Sequence, residues 1–85
     1  MSRLIPAAER IQRARALIQK ARQLPVPEGA GKYDLSYIAK VKDILQQARD
    51  LVKFIPYTPS ASAETKNEVK KILEEADWAN KEILH

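Results

Sequence analysis

Apolar side chains recur at intervals of three and four in three separate stretches of this chain, and each stretch reads as one face of an α-helix. The middle stretch, 33–56, is the cleanest. Its stripe is Ile38, Val41, Ile44, Leu45, Ala48, Leu51, Val52 and Ile55, while Lys42, Asp43, Gln46, Arg49, Asp50 and Lys53 fall on the other side. Asp34 suits the N-cap, where a carboxylate accepts from the unpaired N–H groups of the first turn. Tyr33 and Ile38 are spaced for a hydrophobic staple, and Pro56 supplies the stop. The stripe is wider than a two-helix seam needs, which predicts two neighbours.

The first stretch places Leu4, Ala7, Ala8, Ile11, Ala14, Leu17, Ile18, Ala21 and Leu24 on one face. Pro6 is expected in the first turn, where its missing N–H would be unpaired in any residue. Pro25 and Pro27 end the helix. The last stretch has Val69, Ile72, Leu73, Ala76, Ala79 and Ile83 in phase, with Thr65, and Thr58, Ser60 and Ser62 are alternative caps. Glu64 and Glu68 favour its early turns through the helix dipole. The predicted fold is all-α: a three-helix up-down-up bundle, with helices near 3–24, 34–55 and 61–84 in one domain spanning 1–85. Wide stripes over a small core leave room for self-association.

The connections carry no chemistry of their own. The first (25–33) holds two prolines and both glycines of the chain, and its GAGK tetrapeptide lacks the GxxxxGK[ST] spacing and the preceding strand of a phosphate loop. Val41–Ala48 echoes Val69–Ala76, but helices of one period resemble each other and no helix-pair repeat signature accompanies the echo.

Composition narrows the function classes. At 85 residues, 45% of them apolar, the chain is long enough for one small core. It has no cysteine, which removes disulfides, thiolate metal sites and cysteine nucleophiles and leans toward the cytoplasm. No apolar run approaches about 18 residues, so no transmembrane helix is expected, and the N-terminal residues do not read as a signal peptide. The single histidine, His85, is terminal and a poor base for a preorganised triad or metal site. Glu74, Glu75 and Asp77 diverge around one helix and lack EF-hand spacing. A non-enzyme without metal or cofactor is therefore expected.

Two features point to partners. Net charge is +4, with seven Lys/Arg against two Glu in 1–32 and four against six Asp/Glu in 58–85. The basic first helix and acidic last helix attract each other. Arg3 and Arg10 flank the first apolar stripe on one side, Arg15 and Arg22 on the other, and Arg13 and Lys20 sit at the back. Such side chains can lay their stems over the core edge or contact nucleic acid or an acidic partner, though a phosphate-reading helix more often gathers its charge on one face. The second feature is Trp78. It falls opposite its helix stripe, among Lys71, Glu74, Glu75, Lys81 and Glu82. The ordinary account is a ring lying over neighbouring stems or a rotated helix; the functional one is an anchor for a partner or a second copy. Phe54 and Tyr57 are expected to close the end of the core.

The favoured reading is a non-catalytic protein–protein interaction or adaptor module using Trp78, Lys71, Glu74 and Lys81. One alternative is a small nucleic-acid-binding or regulatory protein using Arg3, Arg10, Arg13, Arg15, Lys20 and Arg22. The other is a structural homo-oligomeric bundle.

Overall fold

Three α-helices account for most of the described backbone: α1 (Ala7–Gln23), α2 (Leu35–Val52) and α3 (Ala63–Leu84), each packed against the other two in an up-down-up bundle. The structure, a computed structural model, describes residues 6–29 and 31–84. Leu4, Arg3 and His85 lie outside them, and no strand occurs among the described residues.

Local chemistry explains each boundary. Pro6 sits just before α1 rather than in its first turn, with ψ at 149°, and its carbonyl accepts the Arg10 N–H at 3.0 Å. At the other end Leu24 has left the helix (ψ 132°), because Pro25 disfavours the helical conformation in the residue before it. The chain then reverses through a 3₁₀ turn, Gly31–Tyr33. Gly29 and Gly31 take φ values of 81° and 59°, which a residue with a Cβ adopts only under strain. Asp34 Oδ1 accepts the Tyr37 N–H at 2.9 Å and caps α2 as predicted.

α2 ends at Val52, three residues short of the predicted Ile55. Pro56 cannot donate to the Val52 carbonyl and its ring would crowd it, so the chain tightens into a second 3₁₀ turn, Ile55–Tyr57. Of the three candidate caps for α3, Ser62 is the one used: its Oγ accepts the Thr65 N–H at 3.1 Å and its carbonyl accepts the Lys66 N–H at 3.0 Å.

The core is made from the predicted stripes. Ile11, Ala14, Ile18 and Ala21 of α1 meet Val41, Ile44, Leu45, Ala48 and Val52 of α2 and Val69, Ile72, Ala76 and Ala79 of α3. No charged or polar residue is buried among the described residues. Two aromatic placements differ from expectation. Tyr37 is buried at 6% exposure. Phe54 and Tyr57 do not close the core; they are 65% and 81% exposed, and Ile55 between them points inward instead. One side of that turn can face the core, and the smaller aliphatic side chain takes it.

The bundle is less compact than its mass allows. Its radius of gyration is 14.5 Å, against about 12 Å expected for a globule of this length. Its accessible surface is 6183 Å², against about 5,100 Å² for a typical monomer of this mass. None of the described helices is long and apolar enough to cross a membrane.

Candidate interaction surface

α3 presents its core stripe to α1 and α2, which fixes what its far side carries. Trp78 lies there, 62% exposed. The helix is not rotated to hide it: Ile72, Ala76 and Ala79 are fully buried on the opposite side. Lys71, Glu74, Trp78 and Lys81 follow one another at intervals of three and four, so they share one exposed strip. The Lys81 ammonium stands 5.8 Å from the indole centroid, within cation–π range. Glu74, Asp77, Trp78 and Lys81 line a shallow recess around the ring. The edges of this strip are tied to the neighbouring helices. Asp77 accepts from Arg49 of α2 at 3.0 Å, and Glu82 pairs with Arg22 of α1. Glu74 and Glu75 form no ion pair among the described residues.

A second apolar feature lies between α1 and α2. Leu17 and Leu51 sit at the margins of their stripes and remain half-buried, and with Ala16 they floor an open groove of about 610 Å³. Arg13 and Lys20 form its lip on α1; Gln47 and Asp50 form the lip on α2. Arg13 pairs with Glu9 at 3.0 Å, one turn earlier, whereas Lys20 has no acidic partner among the described residues. Asp50 accepts from Lys53 Nζ and Gln46 Nε2, both at 2.9 Å. These bonds, the Lys53 one foremost, hold its carboxyl below its ordinary pKa of 3.8.

The basic residues of the first helix are not brought together. Arg22 reaches α3 and Arg13 is held by Glu9. Arg10 is half-buried beside Ile55, Thr58, Ser60 and Thr65. Arg15 is exposed, Lys20 lines the groove, and Arg3 lies outside the described residues. The attraction expected between the first and last helices is realised in the Arg22–Glu82 pair. No group of three potential metal-ligating side chains assembles among the described residues.

Reading the sequence did not find the groove. Its signal lies in the positions of Leu17 and Leu51, each at a stripe margin and each one turn from charged or amide side chains. Val26, Tyr33 and Leu35 add to the exposed apolar surface. Comparison with protein-family models, curated proteins and solved structures gives no match to this chain.

Proposed function

We propose that this chain is a small helical protein–protein interaction module without catalytic activity, docking through Trp78 and its strip on α3 and through the groove between α1 and α2. The observation that carries the reading is the indole of Trp78, exposed on the outer side of a 22-residue helix whose opposite side is fixed in the core. A tryptophan held in this way loses little conformational freedom on binding and brings a large apolar area, the usual profile of an interface anchor. Glu74, Lys71 and Lys81 are rim charges in this reading and set orientation more than affinity.

The dispersal of Arg10, Arg13, Arg15, Lys20 and Arg22, two of them already paired with glutamates, favours a protein partner over nucleic acid. The cysteine-free composition favours a reducing compartment, the cytoplasm. A photo-crosslinking side chain introduced at position 78, with an exposed control at position 66 on the same helix, tests the reading in the cells that make the protein. An adduct formed from 78 and absent from 66 is expected. Equal adducts, or none, would refute the anchor.

A further inference from the structure

We infer that the groove between α1 and α2 receives Trp78 of a second copy of this chain, so that molecules associate head to tail. The inference rests on the reading of Trp78 as an anchor and names its socket.

Both halves of the contact are present on one molecule. The groove has an apolar floor (Ala16, Leu17, Leu51) and no occupant among the described residues. Trp78 is a large apolar side chain on the side of α3 turned away from α1 and α2. A molecule therefore cannot seat its own Trp78 in its own groove.

The charges match in one orientation. The α1 lip is basic, with Arg13, paired to Glu9, and the unpaired Lys20, and the α2 lip carries Gln47 and Asp50, whose Oδ1 accepts from Lys53 and Gln46 and leaves Oδ2 for a second cation. Along α3, the turn before Trp78 carries Glu74 and Glu75, which have no ion pair among the described residues, and the turn after it carries Lys81. Seven residues of helix separate Glu74 from Lys81, a rise of about 10.5 Å. Packed helices lie about 8–10 Å apart. An α3 laid across the groove, rather than along it, thus puts Glu74 and Glu75 over the basic lip, Lys81 over the Asp50 lip and Trp78 between them. Lys81 leaves the indole face to reach Asp50, which frees the ring for Leu17 and Leu51.

The contact is heterologous: each molecule offers one Trp78 and one groove on different sides, so association continues until a ring closes or a chain ends.

Sedimentation velocity and Trp78 fluorescence are measured on the full chain from about 10 µM to about 1 mM, a range that brackets weak dissociation constants. Weight-average mass is expected to rise above 9.6 kDa, with emission shifting to shorter wavelength over the same range, because Trp78 is the chain's one tryptophan. Lys20→Glu and Glu74→Lys, both at exposed positions, each abolish the rise; an equimolar mixture of the two variants restores it, because each groove then meets a complementary α3 on the other variant, and the double variant alone restores it as well. A mass fixed at the monomer value overturns the inference, as does a rise that ignores both substitutions. N-acetyl-tryptophanamide titrated into the labelled chain separates the two levels of the reading. In a monomeric chain, amide shifts at Leu17, Lys20, Gln47 and Leu51 would overturn self-docking and keep the groove as a docking site. A monomeric chain without those shifts would remove the groove from the proposed function as well.

Discussion

Two substitutions on α3, six residues apart, test whether its faces are assigned correctly. Ile72 is fully buried between α1 and α2. Removing its outer carbons in Ile72→Ala loses their transfer energy and leaves a cavity, which together cost about 2–5 kcal/mol. That is a large part of the roughly 4–13 kcal/mol available to a domain of this length. Trp78 is 62% exposed. Of the ~200 Å² that a tryptophan buries in a core, about 75 Å² is covered here, worth at most about 2 kcal/mol at ~25 cal/mol per Å². Alanine retains the backbone share of that cover and is the better helix former by about 0.5 kcal/mol. Trp78→Ala is therefore expected to cost less than about 1 kcal/mol, several-fold below Ile72→Ala. Urea denaturation followed by far-ultraviolet circular dichroism reads both without relying on the indole. The comparison is made at low micromolar concentration, so that association does not add to stability. Equal losses would refute the reasoning: the indole would then be part of the core, and no anchor would remain.

Asp34→Ala should lower stability by about 1 kcal/mol by leaving the Tyr37 N–H without its acceptor, with Asp34→Asn retaining most of it. Ser62→Ala should cost a similar ~1 kcal/mol at the start of α3, and circular dichroism at fixed urea detects both. Carboxyl-detected NMR titration should place Asp50 below the ordinary carboxylate value, and Lys53→Gln should move it upward. Since its folded pKa is depressed, the associated stabilisation is present above the unfolded value near 3.8 and is lost as pH falls through the folded one. An Asp50 pKa that does not respond to Lys53→Gln would contradict the assigned cause. Glu82→Gln removes a half-exposed partner of Arg22; it should cost under about 1 kcal/mol and nothing at high salt.

What was legible in the sequence was what short-range physics decides. The three stripes, the Asp34 cap and the proline stops each depend on residues within a turn or two of one another, and among the described residues the structure keeps them, except that Ala8 of the first stripe is exposed. Tyr37 was legible too: it stands four, seven and eleven residues before Val41, Ile44 and Ala48, in register with the stripe. Ile38 beside it, more apolar and half-buried in the event, drew the assignment instead. Phe54 and Tyr57 show the other kind of difficulty. Ile55 belongs to the stripe and is buried as its spacing predicts; whether Phe54 and Tyr57 are covered as well depends on how far α1 and α3 extend over that end, and no local pattern encodes it. The groove lies further from reach. Leu17 and Leu51 are 34 positions apart, and their half-burial follows from how deeply two helices interlock.

That depth traces to one residue type. Five of the fifteen buried core residues are alanines: Ala14, Ala21, Ala48, Ala76 and Ala79. Alanine lets helix backbones approach closely, but each contributes far less buried apolar area than leucine or isoleucine. A core lined in this way is thin. The larger side chains at the stripe margins, Leu17 and Leu51 on one side and Leu73 and Ile83 on the other, are then only half covered. The same choice that packs the three helices together thus leaves apolar surface at their seams. Enlarging a core alanine would not repair this: Ala48 and Ala76 are fully buried, and extra carbons in a packed core cost strain. The uncovered apolar surface gathers at the α1–α2 seam, between Arg13 and Lys20 on one side and Gln47 and Asp50 on the other.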